Sequence, residues 1–363
     1  MNPVCLENRG GFCQMDRNAL MVKPFAEGDG KAWDDYVRIH PSATVFHRRA
    51  WSDAVEKAYG HRPIHGVAWS EGRLVGLLPL FFVKSVFVGR VLVSVPYATY
   101  GGIVADSDEI AKALLTFAEG LSREYAAEYL ELRHRDPNAL GLPEIGRYDT
   151  FRKELPQDPD EILTRLPRKT RAATRKGIEW LGPDAVAMGP ELLDTIYDLY
   201  AVTLKRLGSP NYRRRLLREL LKCFGEDCVC LVVRDNGTPV AGVVSYVFRD
   251  EIVPYFSGSL EAGMAMNANN VMYLRLMEYA IRRGLRWFDF NRTRRDNSGP
   301  YDFKRHHGFE PTPLHYQVSL NRSRELPNLS PSNRRFALAG RIWRKLPLWM
   351  TRAAGGRITK WIP

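Results

Sequence analysis

One succession of elements occurs twice in this chain, and that duplication limits the fold more than any other feature. Residues 64–69 (IHGVAW) alternate like a strand, Ser70-Glu71-Gly72-Arg73 reads as a turn, and 74–83 (LVGLLPLFFV) reads as a second, buried strand. About 165 residues later the hairpin returns as CVCLVV (228–233), the turn Asp235-Asn236-Gly237 and PVAGVVSYVF (239–248), with Asn-Gly as a strong turn signal. Each hairpin leads into another strand, a glycine-containing loop, an amphipathic helix and a strand with a polar end. In the first half these are VLVSV, PYATYGG, a helix near 107–125 and YLELRHRD; in the second, IVPYFSGS, LEAGMAMNAN, a helix near 270–283 and WFDFNRTRRD. An antiparallel meander, a helix and a final strand make an α/β unit with a mixed sheet, and 363 residues accommodate two of them.

Between the halves, residues 158–225 read as helical. A basic stretch there places Arg168, Arg171 and Arg175 at i, i+3 and i+7, one helix face that either meets phosphates or is simply solvated. The formal charge of +12 is mostly a property of the tail, since residues 321–363 hold ten Lys or Arg and one acid. Net charge therefore does not argue for a polyanion on the body of the protein, and no specific DNA binding is expected. Within the tail, Leu338, Ile342 and Leu346 share a helical face amid arginines and lysines, and Trp343, Trp349 and Trp361 suit an interface with an anionic membrane or with the first domain. No apolar run reaches the length of a membrane span, and the first twenty residues lack the apolar core of a signal peptide, so a cytoplasmic protein, peripheral on the inner membrane face, is expected. The five cysteines show no CxxC spacing, Cys228 and Cys230 read as buried small hydrophobes, and no metal site is expected.

The run FDFNRTRRDNSGPYDFKRHHGFEPTPLHYQVSL (288–320) resembles the signature of FemAB-type proteins, in which a strand ending Asp-Phe-Gly-Arg-Ser leads to Tyr-x-Phe-Lys-x-x-Trp-Gly-Phe. LVGLLPLFFVKSVFVGRVLVSVPYATYGG (74–102) is similar to that family's first domain, above all in the branch associated with PEP-CTERM and exopolysaccharide loci. With LGSPNY (207–212) and the Asn269-Asn270 helix start, the resemblance covers roughly residues 25–320. It implies two tandem GNAT-like acyl-CoA N-acyltransferase domains with mixed α/β sheets and a cleft in or beside the second. The boundaries are then a 1–20 extension, a first domain over 21–157, a second over 158–320 and a basic tail over 321–363. The implied reaction is transfer of an acyl or aminoacyl group to the amine of a cell-envelope or exopolysaccharide precursor. No bound cofactor is expected; the co-substrate is an activated donor, aminoacyl-tRNA or acyl-CoA. Asn291, Thr293 and His307 depart from the pattern where it carries Gly, Ser and Trp.

Amide formation needs a neutral amine, a donor carbonyl beside it, and cations or hydrogen-bond donors where the oxyanion develops. Lys304, at the motif lysine, and Arg292, just past the strand end, are the candidates for that charge, with surface cations as the plainer alternative. Asp302, Asp289, His306 or His307 would accept the amine proton, though alternation along the strand suits Asp289 to holding a nearby loop. Substrate contacts are expected from Tyr97, Tyr100 and Gly101 in the first half, from Asn270, Asn291, Tyr301, Phe303 and His307 in the second, and from Arg171 and Arg175. The segment 260–270 lacks the RxxGxG/A pattern that grips the CoA pyrophosphate. The rival reading is a catalytically degenerate GNAT-fold scaffold that docks to anionic membrane or nucleic acid.

Overall fold

The computed structural model describes residues 20–325 and 334–362, apart from the side chains of residues 334–337. The expected extension 1–20 thus lies outside the described residues except for Leu20, as do Cys5 and Cys13.

In the first half, β1 (Gly66–Ser70) and β2 (Arg73–Leu78) form the hairpin, with Glu71 and Gly72 both at positive φ in its turn. The second strand expected over 74–83 is in fact two, because the chain breaks at Pro79-Leu80 before β3 (Phe81–Ser85). Proline offers the ladder no N–H, and the Leu80 N–H turns instead to Nδ1 of His65 at 2.9 Å. The break moves the chain from one sheet into another: β2 pairs with β1 and with Val104–Ala105, whereas β3 pairs with β4 (Gly89–Val93). Helix α1 (Asp108–Glu124) then crosses over and delivers β5 (Tyr129–His134) parallel to β4.

After β6 (Tyr148–Glu154) come α2 (Arg168–Leu181) and α3 (Leu193–Leu207). The repeat follows as β7 (Cys228–Asp235), β8 (Thr238–Phe248) and β9 (Glu251–Ser259), an antiparallel meander with Asn236 and Gly237 at positive φ in the first turn. Cys228 and Cys230 are both buried on β7. Helix α4 (Ala268–Arg282) crosses over to β10 (Trp287–Asp289), which pairs in parallel with β9. The chain continues through α5 (Ser298–His306), β11 (His315–Leu320), α6 (Arg334–Lys345) and α7 (Leu348–Ile358). Both mixed-sheet units implied by the duplication are present.

Sheet membership crosses the boundary drawn in the sequence at 157/158. β6, which precedes that boundary, lies against β10 of the second half, with Phe288 opposite Lys153. β11, at the far end of the second half, lies against β5 of the first, from His315 opposite His134 to Leu320 opposite Tyr129. Each half would otherwise expose a row of unpaired backbone groups on its last strand, and the exchange covers both edges. The core is continuous as well. Trp51 of the first half is fully buried, edge-on to Phe46 at 4.6 Å and to Tyr255 and Tyr246 of the second half at 5.1 and 5.4 Å.

Candidate functional site

The site is built around the end of β10. Asp289 is wholly buried and its carboxylate is fully engaged: Oδ1 accepts from the Asn291 N–H at 2.7 Å and the Thr150 hydroxyl at 3.1 Å, and Oδ2 from the Tyr100 hydroxyl at 2.8 Å. One side chain thus ties the turn after β10 to β6 and to the first-half loop 95–102. Asp289 is a structural anchor, the loop-holding role that alternation along the strand suits.

Asn291 has φ +63°, in the left-handed region where the family pattern has glycine. Asparagine tolerates that conformation better than most residues, so the departure keeps the backbone path. Its side-chain Nδ2 also donates to the Pro254 carbonyl at 2.8 Å, bridging β9 and the turn where the two strands part. Beside the bridge, the ladder between β8 and β9 shifts register and leaves Tyr255 as an extra residue on β9. The Tyr255 hydroxyl donates to the Tyr97 carbonyl at 2.6 Å, joining the halves.

Lys304 reaches this turn from α5, but its ammonium points at backbone. It donates to the carbonyls of Phe290 at 2.6 Å, Asn291 at 2.8 Å and Arg292 at 3.4 Å, which occupies all three of its protons. Burial pulls its pKa down to about 7, with the charge of Asp289 resisting. The geometry therefore makes Lys304 a clamp on the turn, not a free ammonium facing a substrate. Asp302, on the same helix, is exposed.

Arg292 differs from both. It is partly buried, lies 4.8 Å over the ring of Tyr148 and 5.6 Å over that of Tyr316, and donates to the Tyr316 hydroxyl at 3.0 Å. Among the described residues it has no ion-pair partner. The neighbouring Arg133 is compensated: its Nε meets Glu131 at 2.6 Å, and Nη1 donates to the carbonyls of Val95 and Ala98 at 3.2 Å each, which fixes loop 95–102.

The remaining sequence-derived residues separate into groups. Tyr97 is buried between the halves, hydrogen-bonded to His61 at 2.7 Å and stacked on Tyr59 at 4.3 Å. Gly101 donates its N–H to the Arg133 carbonyl, and a Cβ there would stand 2.6 Å from the Ser94 carbonyl oxygen, so its place in the loop is a close backbone approach. Tyr301 donates to Asp149 at 2.8 Å, and the same carboxylate holds Arg295. Phe303 packs on His307 at 4.2 Å, and His307, buried against Phe290 as well, fills with an imidazole the ring position that tryptophan holds in the family pattern. Burial drops its pKa to about 4, with the Phe303 carbonyl opposing, so the ring is neutral. Asn270 sits in the first turn of α4, with no side-chain hydrogen bond to this group. Arg171 donates to the Thr164 carbonyl at 2.7 Å and Arg175 is exposed; their helix abuts α5, where Thr170 donates to the His306 carbonyl at 2.5 Å.

Sequence reasoning missed Thr150 and Tyr148 of β6 and gave Tyr316 of β11 no role. All three lie on the exchanged strands, and no local pattern says which sheet a strand will join. It also missed a small cavity on the other side of Tyr100, of about 240 Å³, lined by Thr44, His47, Gly102, His134 and Arg135. His134 Nε2 accepts the Ile103 N–H at 2.9 Å, which puts the proton on Nδ1, where it has no partner. Burial lowers the His134 pKa to about 3 and that of His47 to about 4, so both rings are neutral.

The comparisons with known proteins agree with this architecture. Residues 164–305 match the model described as the acetyltransferase (GNAT) domain. Among solved structures, FemX superposes with a TM-score of 0.63 at 15% identity, over 83% of this chain and 98% of that one. A tandem GNAT protein from the clavulanic acid biosynthesis pathway gives 0.52 at 14%, over 83% and 98%. The C-terminal domain of an Agrobacterium fabrum protein assigned as a lysylphosphatidylglycerol synthetase gives 0.51 at 14%, over 81% and 92%. No curated protein matches the sequence. The chain is thus a tandem GNAT-fold protein. Its architecture is that of FemX and of the tandem GNAT protein, the fold that the resemblance in its sequence implies.

Proposed function

We propose that the protein transfers an acyl or aminoacyl group from an activated donor, aminoacyl-tRNA or acyl-CoA, to the amine of a cell-envelope or exopolysaccharide precursor, and that Arg292 is the cation that meets the reacting substrates. The observation that carries this reading is an arginine held among tyrosines, without a carboxylate partner among the described residues, where β9 and the turn after β10 part. A guanidinium in that setting supplies two directed N–H donors to a phosphate or carboxylate of a substrate, or to the oxyanion as it develops. It is preorganised, because Lys304 and Asn291 fix the turn that presents it. Helix α2 adjoins the motif helix through Thr170, and its basic residues suit the phosphates of a donor.

The scaffold reading has its own support in Lys304, whose protons are all taken, and in the exposed Asp302. Label transfer separates the two. The purified protein is incubated with cell extract and labelled donors, and small-molecule products are followed by mass spectrometry. Labelled amide is expected from the wild type, and Arg292→Gln should lower its formation by about 10²–10³ with the fold intact. A wild-type protein that moves no label from any donor would leave the scaffold reading, and a fully active Arg292→Gln would remove Arg292 from the mechanism.

A further inference from the structure

The C-terminal helices pack on the body and still present an apolar, basic surface. Helix α6 crosses α3 where Gly340 and Gly208 meet; a Cβ on Gly208 would stand 2.8 Å from the Gly340 carbonyl oxygen. The rest of the tail is tied to both halves. Arg213 donates to the carbonyls of Gly356 at 2.9 Å and Ala58 at 3.0 Å, Tyr97 donates to the Thr359 carbonyl at 3.2 Å, and Ser85 to that of Trp361 at 2.5 Å. A segment anchored this firmly has no need of outward-facing hydrophobes. Even so, four of the fourteen exposed large apolar side chains among the described residues lie on these two short helices: Leu338, Ile342, Trp349 and Met350, with Trp349 71% exposed.

The charge on the same segment has one sign. No Asp or Glu follows Glu325 in the sequence, and Arg341, Arg344, Lys345 and Arg357 are exposed. Beside Trp349 lies an open groove of about 800 Å³, lined also by Arg213, Arg215, Leu348, Arg352 and Arg357. Arg357 has no ion-pair partner among the described residues, and the Nε–H of Arg352 is buried without an acceptor.

We infer that α6 and α7 form a docking surface for an anionic phospholipid bilayer, with Trp349, Leu338 and Ile342 entering the interface and a lipid phosphate seated in the arginine-lined groove. Aliphatic and indole side chains framed by cations suit the headgroup boundary, where apolar area and attraction to anionic lipid act together. A nucleic acid would satisfy the arginines and leave the leucine and isoleucine without a partner. The inference stands apart from the transfer reaction, because it concerns a different face and needs no donor.

The test is co-sedimentation of the full chain with vesicles of phosphatidylcholine alone or mixed with phosphatidylglycerol. Binding is expected only to the mixed vesicles and should weaken as salt is raised. Trp349→Ser and the double reversal Lys345→Glu/Arg357→Glu should each weaken it by at least about tenfold, with unchanged melting temperatures, since all three residues are exposed. Equal binding by the variants, equal binding to neutral vesicles, or a self-association that needs Trp349 in the absence of vesicles would overturn the inference. So would binding to an RNA hairpin that needs the arginines but not Trp349, if the protein leaves vesicles in the supernatant.

Discussion

The two halves share a fold and differ in what occupies the place where their parallel strands part. In the first half, beyond the last paired residues of β4 and β5, backbone hydrogen bonds go on joining the two segments. Ser94 donates to the Glu131 carbonyl, Gly101 and Gly102 both donate to that of Arg133, and Glu131, at the position matching Asp289, is used locally by Arg133. Helix α1 begins with Asp108 and Glu109, an acidic start that disfavours an anionic ligand. In the second half, one asparagine side chain bridges the corresponding gap, α4 begins with uncharged residues, and Arg292 has no carboxylate partner among the described residues. Duplication thus supplied two strand partings of one kind, one closed by backbone hydrogen bonds and the other by a single side-chain bridge. The first half serves the second, for it contributes Tyr100 to Asp289 and the Thr99 carbonyl to the Tyr316 hydroxyl beneath Arg292.

This contrast can be broken at several points. The largest effect is the loss of transfer expected for Arg292→Gln, because the proposed reaction centres on that cation. Next, Asp289→Ala should cost about 3 kcal/mol in denaturant unfolding, since it strands a buried backbone N–H and leaves the Tyr100 and Thr150 hydroxyls only each other. A cost no greater than that of an average surface change would show that Asp289 does not join the halves. Gly102→Ala tests the backbone-closed parting of the first half. A Cβ at Gly102 would lie 2.1 Å from the His134 ring, so the substitution should destabilise by about 2 kcal/mol, and a neutral result would mean that the loop is loosely held.

A further effect is one of pH and concerns Lys304. Its folded pKa of about 7 lies below the ordinary 10.5, so between those values the unfolded chain binds more protons than the native one. Wild-type stability should therefore rise with pH from about 7 to about 10.5 relative to Lys304→Met, and the full cost of the buried charge is borne below pH 7. Parallel curves for the two proteins across that window would show that the three carbonyls hold the ammonium charged throughout.

Much of the fold was legible because it depends on local pattern. The Asn236-Gly237 turn, the alternation of 228–233 and the apolar spacing of the crossover helices each need only neighbouring residues. The split of 74–83 into two strands was half visible, since Pro79 interrupts the run while the partner that takes the Leu80 N–H, His65, lies across the hairpin. The exchange of β6 and β11 was not legible, because alternation marks a strand without naming its neighbour. The site suffered in the same way. Lys304 and Arg292 stand near each other at one strand end, but sequence could not say that the first is spent on carbonyls while the second is left uncompensated.

The exchange of strands also bears on how the chain is made. Synthesis runs from the first half to the second, yet β11, which completes the first sheet, lies after the whole of the second half. Until residue 320 leaves the ribosome, β5 keeps a bare edge, the kind of surface that invites pairing with a wrong partner. β6 meanwhile waits for β10, some 130 residues behind it. Neither half can be finished alone, so a nascent chain stalled anywhere before β11 carries an unclosed sheet, and the two units must reach their native state together.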